Sequence, residues 1–438
     1  MEGDGSDRTG AVLLGLPGFV VVSAAELAGE VELLVETTAV EMGCAGCGVI
    51  AEGNGRRPVT VRDLPVAGRR AVLIWLKRLW RCRESGCPVG SWTETSEAIR
   101  PRSALTERAR LAALRRVQAE ETVAAVARDL QVGWHTVMRA VVDYGTPLID
   151  DPNRLAGVEA LGVDEHVWVH ASATRRTGYA TGIVDVTPGR PARLLDVVPG
   201  RSGKVYADWI AEQEAEWRAR IRVAALDPFR GYATALATAL PEATRVLDAF
   251  HVVALANKMV DEVRQRTQQE TLGHRGRRGD PLYEIRRLLR RGLETLSDSQ
   301  LRKVDTALQA GDPTYATTVA WTATHHLRSI YHAPNAEVGH TRALTALESL
   351  PNCPVPEVAR LGRTLRAWRD ELLAYFATDG ASNGPTEAMN LLIENRRRAA
   401  HGFRNFANYR LRLLLAHGLA CHDQPTARIR TRRPRLVA

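Results

Sequence analysis

The sequence predicts a multidomain chain: a small metal-stapled β module, then a pair of helices, then an α/β sheet joined to a long helical stretch. Three observations predict this. Two close cysteine pairs, Cys44/Cys47 and Cys82/Cys87, each lie beside a strand-like segment. Residues 104–145 carry apolar positions at helical spacing. From 158 onward the periodic segments run strand, strand, strand, helix, strand, helix, strand.

The length of 438 residues allows two to four domains, at roughly 100–200 residues each. A chain 45% hydrophobic and 25% charged is not disordered throughout. Six cysteines are too few for a disulfide framework. No run of about 18 apolar residues suggests a membrane span, and the acidic, glycine-rich opening MEGDGSDRTG is unlike a signal or transit peptide. The expectation is a soluble protein of a reducing, cytoplasmic compartment. The net charge is +9, and 55 of the 59 basic residues are arginine. GC-rich coding accounts for much of that bias, yet clustered guanidinium groups also attract phosphate by charge and bidentate hydrogen bonding.

Within VELLVETTAV, apolar and acidic positions alternate, as in a half-buried strand. Cys44-Ala-Gly-Cys47 follows, then Arg56-Arg57, the strand-like AVLIWLKRLW, and Cys82-Arg-Glu-Ser-Gly-Cys87. This is a zinc-ribbon pattern. Thiolates of Cys44, Cys47, Cys82 and Cys87 suit tetrahedral Zn2+, and so small a module needs the metal because it lacks a core. Cys353 and Cys421 have no partner by spacing. A helix over about Thr122–Leu130, a turn at Gln131-Val132-Gly133 and a second helix from about Trp134 form a helix-turn-helix pattern. Val123, Val126, Ala127, Leu130, Val132, Val137 and Val141 supply its inner face. Trp134, His135, Thr136 and Arg139 point outward, the placement of DNA-contacting residues on a recognition helix.

The strand and helix order from 158 is that of a ribonuclease H-like core. VEALGVDEHVWVH, GYATGIVDVT and ARLLDVVPG supply three strands, and KVYADWIAEQEAEWRARI supplies one helix. RVAALD, RGYATALATAL and TRVLD complete the alternation, and a helix opens with AFHVVALANKMVDEVRQ. Residues 265–295 are strongly basic, and 296–376 read as helices containing Trp321 and Trp368. The last strong element is a helix over Pro385–Ala400, and the end is a basic tail.

Two acids lie in apolar strands. Asp164 sits within LGVDEHVWVH, and Asp227 ends RVAALD. An unpaired buried carboxylate costs several kcal/mol, roughly, so each needs a partner or a metal. Glu387 follows Ser382-Asn383-Gly384-Pro385, where proline pre-sets a helix start whose dipole favours an ionised acid. Two strand acids and a helical one can converge on Mg2+ (or Mn2+), which prefers oxygen ligands.

The stretch Ser382-Asn383-Gly384-Pro385-Thr386-Glu387-Ala388-Met389-Asn390, continued by His401-Gly402-Phe403-Arg404-Asn405-Phe406-Ala407-Asn408-Tyr409-Arg410, closely resembles the end of the catalytic domain in bacterial insertion-sequence transposases of the ISL-three family. Val61-Arg62-Asp63-Leu64-Pro65, Gly162-Val163-Asp164-Glu165 and Asp248-Ala249-Phe250-His251-Val252-Val253 extend the resemblance over nearly the whole chain. It implies a DDE enzyme whose metal-binding acids match Asp164, Asp227 and Glu387. Asp248 and His251 match a further signature near the active site, taken here as supporting. The resemblance also implies a helical insertion over 252–380, in which Trp321 could stack on a displaced base, though core packing explains it as well. One departure is Glu394, where a basic residue is expected, although Arg396-Arg397-Arg398 follow at once as DNA-contact candidates.

The expected domains are therefore 1–100 (zinc ribbon), 101–150 (helix-turn-helix), 158–251 (first part of the core), 252–380 (all-α insertion), 381–420 (final part of the core) and 421–438 (basic tail). The implied activity is Mg2+-dependent cleavage of double-stranded DNA at insertion-sequence ends and strand transfer into target DNA, by at least a dimer. The principal rival is an inactive or repurposed transposase-derived DNA-binding regulator. A regulator built only of zinc ribbon and helix-turn-helix, with no chemistry, would leave the acids inside strands unexplained.

Overall fold

The computed structural model describes residues 14–419. The tail expected at 421–438, with Cys421, lies outside the described residues. The described residues divide into two compact units, 14–151 with 407–419, and 152–406.

In the first unit, β1 (Phe19–Leu27), β2 (Glu30–Thr37), β3 (Glu52–Val66), β4 (Arg69–Arg81) and β5 (Ser91–Thr93) form one sheet. Its order is β1-β2-β4-β3, with β5 paired to β4. The alternation in β2 turns Val31, Leu33 and Val35 inward, where they meet Phe19, Val61, Leu73 and Trp75. Ala67 and Gly68, both at positive φ (49° and 76°), link β3 to β4, which is the twist a two-residue hairpin requires. Glu94, not singled out from the sequence, is 2% exposed. Its carboxylate accepts from Thr37 Oγ1 at 2.6 Å, Trp75 Nε1 at 3.0 Å and the Arg78 N–H at 2.7 Å, which offsets its desolvation.

Three helices follow: α1 (Glu107–Gln118), α2 (Val123–Asp129) and α3 (Trp134–Ile149). Thr106 and Thr122 cap the first two through their side chains. Val123, Val126, Ala127, Leu130, Val137 and Val141 are buried and Val132 is half-buried, as the spacing requires. The buried Asp63 accepts from Thr106 Oγ1 at 2.6 Å and from Arg108 Nε at 2.8 Å, so the Val61–Pro65 stretch ties the sheet to α1.

One expectation is corrected here. The helix after Pro385 is not the last strong element, because Phe406–His417 is also helical. Its buried positions Tyr409, Leu411, Leu413, Leu414 and Leu415 are too closely spaced to show a clear period. Gly145 in α3 lets Leu415 approach; a Cβ there would lie 2.8 Å from Leu415 Cδ1.

The second unit begins with β6 (Ala160–Val169), β7 (Gly178–Asp185) and β8 (Arg193–Pro199). Then come α4 (Gly203–Ala211), α5 (Ala215–Arg220), β9 (Val223–Leu226), α6 (Arg230–Ala239), β10 (Thr244–Leu247) and α7 (Ala249–Leu272). The single helix expected over 204–221 is thus two. The break lets Trp209 and Trp217 meet edge to face with centroids 5.7 Å apart, whereas eight residues of straight helix would separate them by about 12 Å along the axis. The sheet order is β10-β9-β6-β7-β8. β6, β9 and β10 are parallel, and β7 runs antiparallel to β6 and β8.

After α7 come α8 (Pro281–Glu284), α9 (Asp298–Gly311), α10 (Ala316–Tyr331), α11 (Ala336–Ser349), α12 (Pro356–Ala367), α13 (Arg369–Ala377) and α14 (Gly384–Ala399). Among the described residues no strand lies between β10 and α14. Leu161, Leu226, Val252, Ala256, Ala320, Leu327 and Val358 belong to one core that runs from the sheet into these helices. Among the described residues, no helix is long and apolar enough to cross a membrane.

Candidate functional site

The first unit gathers Cys44, Cys47, Cys82 and Cys87 so that all four sulfurs lie within 4.8 Å of one another. Cys44 Sγ is 3.6 Å from Cys87 Sγ, and Cys47 Sγ is 3.4 Å from Cys82 Sγ. A tetrahedron with Zn–S bonds of about 2.3 Å has edges near 3.8 Å, so the thiols fit that ion. The backbone N–H groups of Cys47 and Gly46 hold the Cys44 thiol down at about 7, which favours the ligating thiolate.

On α3, Trp134, His135 and Arg139 are exposed and Thr136 is half-buried. Trp134 and His135 stack edge to face at 5.2 Å. The outward face read from the sequence is therefore the outward face of the folded unit.

The acids of the second unit come together where the sheet changes character. β9 pairs only with Ala160–Gly162 of β6, so Asp164 stands just past the parallel pairing, and Asp227 follows the end of β9. Ligands favour the space beyond the carboxyl ends of strands at such a switch point. Asn390 Nδ2 donates to Asp164 Oδ2 at 2.6 Å. His251 Nδ1 lies 3.0 Å from both Asp227 Oδ1 and Asp248 Oδ2, and its Nε2 lies 3.6 Å from Glu387 Oε1. The sequence reading treats Asp248–His251 as a supporting pair; in the fold His251 also faces two of the other acids. Glu165, on the other side of Asp164's strand, accepts instead from Tyr232 Oη at 3.2 Å.

The electrostatics of the group are those of too much negative charge in too little water. Burial, then the charges of Asp227 and Glu387, push Asp164 up to about 8. Burial pushes Asp227 up to about 6, against the opposing pull of His251 and the Asn383 amide. Burial would neutralise His251, but its hydrogen bond with Asp248 and the charges of Asp227, Asp248 and Glu387 prevail and raise it to about 9. Asp248 is held below its ordinary value, because the bonds from His251 and the Asn383 N–H outweigh its burial.

Three residues outside the predicted acid set organise this site: Gly162, Asn383 and Asn390. Asn383 is fully buried and donates through Nδ2 to Val163 O at 3.0 Å and to Asp227 Oδ1 at 3.1 Å. Gly162 lies under the start of α14, where an added Cβ would stand 2.0 Å from Thr386 Oγ1 and 2.7 Å from Asn383 Oδ1. The sequence signal was the Ser382–Asn390 stretch itself, but nothing in it distinguishes a capping asparagine from one that reaches across a site.

The predicted DNA-contact arginines of α14 do not behave alike. Arg396 is 3% exposed and turned into the fold, because it shares the inward face with Met389 and Ile393. Arg397 and Arg398 both bond Glu394, at 2.7 and 2.6 Å, and only Arg398 is well exposed. Glu394 thus neutralises part of the basic run that follows it. Trp321 is half-buried against the core and stacks edge to face on His325 at 4.8 Å.

Three segments of the chain match known family models. Residues 41–87 match the zinc-finger of transposase IS204/IS1001/IS1096/IS1165, and 94–145 match the helix-turn-helix domain of transposase family ISL3. Residues 161–413 match the ISL3 DDE family described as transposase. The transposase for insertion sequence element IS1001 of Bordetella parapertussis is 30% identical over 287 residues, covering 64% of this chain and 66% of that protein. The chain thus spans just under two thirds of that relative's length. A chain of the Drosophila P element transposase strand transfer complex aligns with a TM-score of 0.42 at 9% identity, covering 72% of this chain and 92% of that one. The family match over residues 161–413 spans more than half of the chain, which therefore belongs to the ISL3 family of transposases.

Proposed function

We propose that this protein cleaves double-stranded DNA at the ends of an insertion sequence and joins the freed 3′ ends to target DNA, with Asp164, Asp227 and Glu387 holding two divalent cations, Mg2+ or Mn2+. The observation that carries this reading is the crowding of carboxylates around His251. Burial and mutual repulsion push Asp164 up to about 8, so the donor set calls for cations and offers them hard oxygen ligands. Two such ions would supply an activated hydroxyl and stabilise charge on the leaving oxygen of an in-line displacement.

The chain's own residues prepare that chemistry. Asn383 and Asn390 orient Asp227 and Asp164. His251, held protonated between Asp227, Asp248 and Glu387, supplies positive charge to the acids in the meantime. A sheet ordered β10-β9-β6-β7-β8 with its acids at the switch point supports a ribonuclease H-like core, made of residues 158–251 and 381–420 and interrupted by an all-α insertion over 252–380. Residues 1–100 and 101–150 would form the zinc ribbon and the end-recognising helix-turn-helix, through Trp134, His135, Thr136 and Arg139. Of the α14 arginines, Arg398 alone has the exposure for phosphate contact. Joining two ends requires two active sites, so the working form on DNA is at least a dimer.

The deciding experiment compares Glu387→Gln with Glu165→Gln on DNA carrying the element's ends in Mg2+. Glu387→Gln abolishes cutting and joining while end binding survives; Glu165→Gln, facing Tyr232, costs much less. Near-parental cutting by Glu387→Gln overturns the site.

A further inference from the structure

The segment that follows α7 carries charge the proposed chemistry does not use. Residues 273–291 contain seven arginines against two acids. Both acids turn to the segment itself. Asp280 Oδ2 accepts from the Arg277 backbone N–H at 2.7 Å and from Gln268 Nε2 at 3.3 Å, and Glu284 Oε1 accepts from the Gly279 N–H at 3.1 Å. Arg275, Arg277, Arg278, Arg287 and Arg290 are exposed, and none of their guanidinium groups has a carboxylate partner among the described residues. Three other guanidinium groups of the same helical region are paired: Arg266 with Glu357, Arg328 with Glu294, Arg360 with Glu262.

This basic segment is held from beneath by buried groups. Arg264 is 3% exposed; its Nε donates to Asp261 Oδ1 at 2.9 Å, and its Nη1 donates to Gln268 Oε1 and, at 3.3 Å, to the carbonyl of Arg275. At Gly276 (φ +110°) an added Cβ would stand 2.6 Å from Gln268 Oε1, so only glycine lets the loop lie down on that side chain. Leu282, Ile285 and Leu289 enter the core, which leaves Arg287 and Arg290 on the solvent side. A charge run that serves only hydration needs no buried network to fix its backbone.

The placement adds a length. α7 has 24 residues and so spans about 36 Å. Asp248 and His251 stand at its start beside the acids, and the arginine segment begins at its end. One turn of duplex DNA is also about 34–36 Å. A duplex with its scissile phosphate at the carboxylates and its axis along α7 presents the same backbone face again at the arginines. We infer that residues 275–290 grip the phosphate backbone of double-stranded DNA about one helical turn from the point of cleavage, as an anchor separate from the helix-turn-helix. The location of this grip rests on the proposed cleavage site; its charge does not.

The test uses the full chain and a duplex carrying the element's own terminal DNA. In R275A/R277A/R278A the pinning bonds remain, because they use the Arg275 carbonyl and the Arg277 N–H. Each lost phosphate contact reduces the slope of log affinity against log salt by about 0.9, so the triple variant should lose about 2–3 from that slope. It should also lose hydroxyl-radical protection about ten base pairs from the cut. The triple lysine variant restores both, and Arg287→Glu serves as a second variant should the triple alanine chain not fold. Unchanged slope and footprint overturn the inference; a reduced slope with the distal protection intact overturns its placement. Asp164→Asn separates the two readings: it stops cutting but keeps slope and footprint. A parental chain that never cuts, yet whose slope falls in the triple variant, refutes the proposed function and leaves the phosphate surface standing.

Discussion

Asn383 occupies the N-cap position of α14, yet its side chain makes no capping bond; it gives its amide to Asp227, 3.1 Å away, and to the carbonyl of Val163. Its backbone N–H meets Asp248 Oδ1 at 2.8 Å. One residue thereby ties the middle of β6, the end of β9 and the start of α7 to the helix that carries Glu387. Asn383→Ser keeps a good capping residue but removes the reach. A lost hydrogen bond to a charged group is worth about 1.5–3 kcal/mol, so DNA cleavage should slow by roughly 10- to 100-fold while DNA affinity holds. Parental cleavage kinetics in this variant would show that the amide does not position Asp227.

Gly162→Ala should do comparable damage without touching a carboxylate. Its Cβ would overlap Thr386 Oγ1 and Asn383 Oδ1, at 2.0 and 2.7 Å, and so push α14 off the strand. At Gly182 the corresponding atom meets Asn390 Oδ1 only at 3.8 Å, an ordinary contact. Gly182→Ala should therefore stay close to parental in cleavage assays, and equal losses in the two variants would refute the docking argument.

The raised value of Asp164 has a stability consequence with a definite sign. The folded carboxyl holds its proton up to about 8, whereas an unfolded one releases it near 3.8. Between those values the folded chain binds more protons than the unfolded one, so metal-free stability falls as pH rises through that window. Asp164→Asn should raise the melting temperature measured in chelator at pH 9, with the gain shrinking to nothing toward pH 4. A gain that is largest at acid pH would contradict the burial assigned to Asp164.

Removal of zinc should unfold the ribbon more than the rest. The module holds its two cysteine loops by four thiols, and structural zinc supplies folding free energy directly. Cys47→Ser or a strong chelator should abolish one equivalent of bound zinc by elemental analysis and raise amide exchange around 41–90. The second unit's exchange should stay unchanged. A purified, folded protein free of zinc, with all four thiols freely reactive, would refute the assignment.

Arg139→Ala tests the recognition helix. Arg139 is exposed on α3 and contributes nothing to the buried face formed by Val137 and Val141. A base-edge contact is worth about 1–3 kcal/mol of discrimination. The variant should bind terminal and unrelated DNA with more similar affinities while its salt slope changes by no more than about 1. Retained discrimination would move recognition elsewhere.

The sequence by itself determined the order of elements and the chemistry each could carry. Cysteine spacing announced a metal module, because two close thiol pairs beside strands supply the four thiolates that suit one tetrahedral ion. Hydrophobic period separated α2 and α3 from the later strands, and acids inside apolar strands marked Asp164 and Asp227 as charges needing a counterpart. These are local properties, readable along the chain. What only the tertiary structure decided depends on residues far apart in sequence. It bends the 204–221 segment so that two tryptophans meet, and makes a helix of Phe406–His417, whose crowded apolar positions hide any period. It also turns Arg396 inward while Arg398 stays out, sets His251 between Asp227 and Glu387, and sends the Asn383 amide across the site instead of into its own helix. Packing decides such matters because a side chain's partner is whatever the fold brings within about 3 Å, and no spacing rule along one strand or helix encodes a neighbour from another.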